Sequence, residues 1–322
     1  MQLFKYLIAA GSLVFTVGLT GCDTPLEQEE TGDAGLLSAN SRPSVVATST
    51  IIADLADQVG GEAIALTSIL EAGADPHVYE PVPQDSIAFE EADLILYNGH
   101  NLEPALIKMA NAAGIEATAV AVAEGNLAMV LNDGEHQEPD PHVWGNVENA
   151  IVMTTTIRDA LITVSPDNTA TFTQNAAELT RELTQLHQWI GEQILTIPPG
   201  QRQLVTTHDA FAYYAEAYDL EVLGTLIGIS TEEQPSAQTL QGLVDSVKAA
   251  GVPTLFAETT INPRLITTVA EEAGVQLAEQ ELYSDSIGAV GTGGDSYTKM
   301  MISNTQAIVN NLGGSSTPFE LN

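Results

Sequence analysis

The chain has 322 residues, 43 of them acidic and 9 basic, for a formal net charge of -34 at pH 7. So acidic a surface excludes nucleic acid as a partner, because neutralising phosphate takes clustered lysine and arginine, and anionic lipid headgroups would repel it. The acids are scattered along the chain, which reads as a solvated surface whose self-repulsion salt would screen.

The N-terminus opens on one cation, Lys5, followed by an apolar run from Tyr6 to Leu19 and then Leu19-Thr20-Gly21-Cys22. The run is too short to span a bilayer comfortably and ends in small residues, the pattern of a secretory signal. Leu-Thr-Gly-Cys resembles the bacterial lipobox, in which the cysteine is acylated and becomes the mature N-terminus. Cys22 is the only cysteine in the chain, and lipidation removes the difficulty of a lone free thiol in an exported protein. The expected location is therefore outside the cytoplasm, in the periplasm or on the outer face of the cytoplasmic membrane, held by lipid on Cys22. Residues 22–44 are polar and acidic, with Pro, Gly and Ser, and read as a flexible spacer.

From Val45 onward, short β-branched runs alternate with helical patterns. Strands are predicted at 45–49, 63–69, 94–98 and 118–122, and again at 204–207, 222–226, 254–257 and 275–278. Alternation of this kind argues for parallel sheets covered by helices. The fold class is α/β, as two α/β lobes, each with a four-stranded mainly parallel sheet. Between the two clusters Phe172, Ala176, Leu179, Leu183, Leu186, Ile190 and Ile194 recur at spacings of three and four, one apolar stripe on a helix. Pro166-Asp167-Asn168 starts it and Pro198-Pro199-Gly200 ends it. A helix over about 168–196 spans roughly 40 Å and would join the lobes as a rigid spine. The expected organisation is a signal peptide at 1–21, a linker at 22–44, an N-terminal lobe at 45–166, a linking helix at 167–198, a C-terminal lobe at 199–314 and a tail at 315–322.

The chain has six histidines, and two of them follow Asp-Pro, in Asp75-Pro76-His77 and Asp140-Pro141-His142. Proline fixes its own φ and pushes the residue before it toward extended backbone, so both imidazoles stand beside a stiff corner. His208, in Thr206-Thr207-His208-Asp209-Ala210-Phe211, ends a predicted strand, where open α/β sheets bind ligands. His100 also follows a strand and is a weaker candidate. His136 falls in a polar loop and His187 on the surface of the long helix. Asp285, after the last predicted strand and before a Gly-rich stretch, is the candidate carboxylate. Three imidazoles and one carboxylate suit Zn²⁺, with Mn²⁺ preferring more oxygen.

Several segments together carry a resemblance. They are Asp75-Pro76-His77-Val78-Tyr79-Glu80-Pro81, Asn98-Gly99-His100-Asn101-Leu102-Glu103, Asp140-Pro141-His142-Val143-Trp144, His208-Asp209-Ala210-Phe211-Ala212-Tyr213-Tyr214, Gly228-Ile229-Ser230-Thr231-Glu232-Glu233-Gln234-Pro235-Ser236 and Asp285-Ser286. In that order they resemble the zinc/manganese solute-binding lipoproteins of bacterial ABC importers, over almost all of the body from Val45 to Leu312. The resemblance implies a divalent metal held in the cleft as transported substrate, with His77 and His142 from one lobe and His208 and Asp285 from the other. Asp75 and Asp140 stand where they could orient those groups, and Glu258, after the strand predicted at 254–257, either does the same or caps a helix. It also implies delivery to the transmembrane subunit of an ABC permease by a monomer. A histidine at the position of His208 is usual for zinc binders in this family and a glutamate there is common in manganese binders, which favours Zn²⁺ with Mn²⁺ next. The stretch before His142 is short and has only His136, a departure from the long His-rich loop of many zinc binders.

Two other readings compete. A zinc hydrolase would need an open coordination position for a nucleophilic water, yet no His-Glu-x-x-His or Gly-x-Ser-x-Gly motif occurs, and four protein ligands suit carriage better than catalysis. A metal-independent surface adhesin would bind its partner without His77 or His208.

Overall fold

The computed structural model describes residues 42–113, 117–133 and 136–321; the expectations for the signal peptide, for Cys22 and for most of the linker lie outside them. Strand and helix alternate from the start of the body: β1 (Ser44–Ala47), α1 (Thr50–Gly60), β2 (Ala65–Ser68), α2 (Pro83–Glu90), β3 (Leu94–Tyr97), α3 (Pro104–Ala113) and β4 (Thr118–Ala121). The strands form one parallel sheet in the order β2-β1-β3-β4. Side chains alternate across a strand, so Val45, Ala47, Leu94 and Leu96 enter one core cluster while Val46 and Ile95 enter another on the opposite face. Apolar packing on both faces is what crossover helices impose on a parallel sheet.

β5 (Val130–Asp133) and β6 (His136–Pro139) then pair antiparallel, where the sequence predicts a polar loop. Residues 132–138 carry none of the β-branched signal, and here pairing of the backbone makes the strand without help from intrinsic propensity. Two helices follow, α4 (Val147–Val164) and α5 (Thr169–Ile194).

The second half holds β7 (Gln203–His208), α6 (Ala212–Tyr218), β8 (Glu221–Ile227), α7 (Ala237–Ala250), β9 (Thr254–Leu255), α8 (Arg264–Ala273), β10 (Gln276–Leu277) and α9 (Tyr297–Asn311). β7 pairs with β8 and β9 with β10, all parallel. The N–H of Phe256 donates to the carbonyl of Val205 at 3.0 Å, which carries the layer from one pair to the other. Leu204 and Phe256 pack on one side of it, and Val205, Leu255 and Ala257 on the other.

All seven residues of the predicted stripe on α5 are buried, with Trp189 and Gln193 beside them. The cluster they belong to runs from Val45 and Leu94 of the first sheet, through α5, to Leu204, Phe256, Met300 and Ile308 of the second half. One core therefore serves both lobes. Burying each large aliphatic side chain contributes about 1.5–3 kcal/mol, so separating the lobes along α5 would expose several at once. The segment after α9 lies along the same helix: Thr317 N–H donates to Gln193 Oε1 at 2.8 Å, and the Phe319 ring meets Trp189 edge-on at 5.7 Å.

Candidate metal centre

Each Asp-Pro-His corner is an Asx-type turn, in which the aspartate carboxylate reaches the backbone two residues on. Asp75 Oδ1 accepts from His77 N–H at 2.9 Å, and Asp140 Oδ1 accepts from His142 N–H at 2.9 Å. Proline between them keeps each corner stiff. The second contacts differ. Asp140 Oδ1 also accepts from His142 Nδ1 at 2.7 Å, whereas Asp75 Oδ2 accepts from the Thr231 hydroxyl at 2.6 Å. Asp140 thus orients a ring, and Asp75 ties its loop to the segment after β8.

His208 is the last residue of β7. Glu258, which follows β9, accepts from His208 N–H through Oε1 at 2.8 Å and from Nδ1 through Oε2 at 2.5 Å. Asp285 follows the bridge between Glu258 and Leu282. With Nδ1 of His142 and of His208 donating to carboxylates, both rings turn Nε2 inward, the arrangement that fixes a ligating imidazole.

The four side chains expected from sequence come together. One donor atom from each of His77, His142, His208 and Asp285 lies within 4.8 Å of every other, and all four residues are buried. His77 Nε2 is 3.2 Å from His142 Nε2; Asp285 Oδ1 is 3.3 Å from His142 Nε2 and Oδ2 is 3.2 Å from His208 Nε2. Neither carboxylate oxygen of Asp285 makes a hydrogen bond, and neither does His208 Nε2. Buried polar atoms are almost always bonded, so the unbonded atoms of Asp285 and His208, beside the imidazoles of His77 and His142, form a group that could hold a cation.

The surroundings set the protonation. Burial opposes charge on His142, but Asp140 and Asp285 outweigh it and raise its pKa to about 9. Burial acts likewise on His208, and Glu258 and Asp285 raise it well above the usual value. His77 lacks such partners of its own; burial dominates and lowers it to about 3. Burial would raise Asp285, yet His208 and His142 hold it well below the ordinary carboxylate range.

Trp144 closes one side. Its ring stands edge-on to His142 with centroids 5.5 Å apart, its Nε1–H donates to Ser284 O at 3.0 Å, and its carbonyl accepts from Tyr297 OH at 2.6 Å. The remaining histidines stand apart from the cluster. His100 has φ 50° and a buried Nε2 with no hydrogen-bond partner. His136 lies in β6. His187, expected on the helix surface, is half-buried, with Nδ1 3.0 Å from the Tyr218 hydroxyl.

Residues 45–311 match the model of the family described as zinc-uptake complex component A, periplasmic. The chain belongs to this family. It is a metal-binding, substrate-binding component of an ABC transporter, and the family is one of solute-binding proteins, not of enzymes. Among its relatives, the manganese-binding lipoprotein MntA of Halalkalibacterium halodurans is 32% identical over 281 residues, 87% of this chain and 92% of the relative. The manganese ABC transporter substrate-binding lipoprotein PsaA of Streptococcus pneumoniae is 32% identical over 284 residues, covering 85% and 90%. The solved structure of the periplasmic zinc binding protein TroA from Treponema pallidum superposes with a TM-score of 0.81 at 31% identity, covering 84% of this chain and 99% of TroA. No helix among the described residues of this zinc-uptake family member is long and apolar enough to cross a membrane.

What the sequence does not reveal is the scaffold around the four candidates. Thr231 lies within a segment that resembles the family, yet nothing local says that its hydroxyl reaches Asp75. Ser284, whose carbonyl holds Trp144, carries no motif at all. Their roles arise from chain segments that meet only in the folded molecule.

Proposed function

We propose that His77, His142, His208 and Asp285 are the ligands of one divalent transition metal, carried as the transported substrate and handed to the permease of an ABC importer. The observation that carries this reading is the convergence of four buried donor atoms within 4.8 Å of one another. Asp140 and Glu258 serve the site through the Nδ1 atoms of His142 and His208, and Asp75 through the loop that bears His77. The lobes of this account are residues 45–166 and 199–314, with the linking helix between them. The mature protein is a monomer tethered by lipid on Cys22, which keeps it close to its permease.

Zinc is the favoured cargo. Three nitrogens and one oxygen are a zinc-type donor set, and divalent affinities rise from manganese toward the end of the series. A tetrahedron with ~2.0–2.1 Å bonds has edges of about 3.3–3.4 Å; the Nε2 atoms of His77 and His142, 3.2 Å apart, are close to one such edge, while Asp285 faces His142 with Oδ1 and His208 with Oδ2. Manganese is the second reading, supported by two relatives, the manganese-binding lipoprotein MntA and the manganese ABC transporter substrate-binding lipoprotein PsaA. Competition calorimetry with Zn²⁺ and Mn²⁺ tests both: one equivalent bound, zinc displacing manganese, and loss of tight binding in His142→Ala and Asp285→Ala are expected. Unchanged binding in those variants would remove the ligand assignment, and manganese displacing zinc would reverse the metal.

A further inference from the structure

Ser286, next to Asp285 and 1% exposed, joins two loops that belong to different halves of the chain. Its Oγ accepts from Gly73 N–H at 2.8 Å, in the loop leading to His77. The same Oγ lies 3.0 Å from the hydroxyl of Thr50, the first residue of α1, and that hydroxyl accepts from Ile287 N–H at 3.1 Å. One assignment of protons satisfies every group. Thr50 donates to Ser286, and Ser286 donates to the carbonyl of Ile287 at 3.0 Å.

α1 holds the other end of the same segment. Asp54, one turn on from Thr50, accepts from Tyr297 N–H at 2.9 Å. Between these two holds the chain contains Gly288, Gly291, Gly293 and Gly294. A Cβ on Gly288 or Gly294 would fall 2.9 or 2.4 Å from the Tyr283 ring. The stretch after Asp285 is thus glycine-rich, folded against Tyr283, and fixed at its two ends by a helix of the opposite lobe.

Resting on the assignment of His77 and Asp285 to the metal, we propose that Thr50 and Ser286 form a clasp that positions Asp285 against His77 and sets the rate at which metal leaves. Asp285 is the one anionic donor of the four. For metal to depart, that carboxylate must draw back from the imidazoles, and its loop cannot move while the clasp holds Ser286 to both Thr50 and Gly73. Entry crosses the same opening, because the four donors are buried in the metal-free protein too. The clasp sets both rates, while the hydroxyls, which touch no metal donor, leave the affinity little changed. Thr50 and Ser286 are therefore positioning residues whose effect falls on the rates of metal exchange.

The test is stopped-flow dissociation of Zn²⁺ from the full chain into excess chromogenic chelator, for Thr50→Val, Ser286→Ala and Thr50→Ser, with association rates measured in parallel. Losing one buried hydrogen bond corresponds to about tenfold; Thr50→Val removes two and Ser286→Ala three. Thr50→Val and Ser286→Ala are expected to speed dissociation by that factor or more, with association speeded alongside it and Kd changed little, and Thr50→Ser, which keeps the hydroxyl, to retain the slow rates. Should Ser286→Ala not fold, the comparison of Val with Ser at position 50 decides alone. Wild-type dissociation in the Val variant overturns the clasp, as does faster dissociation with association unchanged, which would mean a weakened site and not a released clasp. Asp285→Ala separates the two claims: if it loses tight binding while the clasp variants behave as wild type, the site stands and the clasp fails, and if it binds like wild type the site assignment itself fails.

Discussion

Glu258 holds His208 twice, through the backbone N–H at 2.8 Å and through ring Nδ1 at 2.5 Å. Both residues are fully buried, so the pair fixes the ring plane and leaves Nε2 as the atom that faces Asp285. Asp140 does the same for His142 with a single oxygen. The centre is built as two histidine–carboxylate pairs, joined by His77 and closed by Asp285.

Replacing Glu258 by Gln keeps the shape but removes the charge behind the ring. Loss of such a partner lowers metal affinity by about 10–100-fold. Calorimetry of Glu258→Gln is expected to show a drop in that range with one metal still bound. Wild-type affinity would mean that the carboxylate serves folding alone.

Metal binding releases protons. Nε2 must offer a lone pair, and the neighbouring carboxylates favour a proton on His142, whose pKa is raised to about 9, and on His208, whose pKa is raised well above the usual value. His77, lowered to about 3, is already neutral. Calorimetry at pH 7 in buffers of different ionisation enthalpy is expected to report protons released as metal binds, and affinity should rise with pH as His142 loses its proton. No dependence on the buffer would contradict this.

The metal-free protein has the opposite pH preference. A group whose folded pKa is raised stabilises the fold fully below its unfolded pKa, and that contribution fades as pH climbs through the folded value. For His142 the window runs from 6.5 to about 9. Asp285, whose pKa is lowered, contributes above 3.8 and loses its contribution as pH falls through its folded value. Melting of the metal-free chain is expected to be higher at pH 6 than at pH 9, with the difference reduced in His142→Ala.

The shared core predicts small lobe movement. Leu183 on α5 is fully buried in the cluster that also holds residues of both sheets. Leu183→Ala should cost about 2–5 kcal/mol in denaturant unfolding. Solution scattering of the wild type is expected to change little when metal is added; a large closure would contradict one continuous core.

Much of this was legible from residue order. Every predicted strand is present within a few residues, because β-branched runs bounded by turns have few alternatives, although β9 and β10 shrink to two residues each. The stripe on α5 is buried along its whole length because its spacing fits a single helical face. His77, His142, His208 and Asp285 converge as the order of motifs implies. The antiparallel pair β5 and β6 was not legible, since its polar side chains disguise backbone pairing. Nor was the reach of Thr50 to Ser286, which depends on two distant segments meeting.

The most direct test of the central claim is anomalous diffraction from crystals of the zinc-loaded protein. The account predicts one strong peak bounded by the Nε2 atoms of His77, His142 and His208 and by the carboxylate of Asp285. A peak elsewhere, or one that persists unchanged in Asp285→Ala, would contradict it.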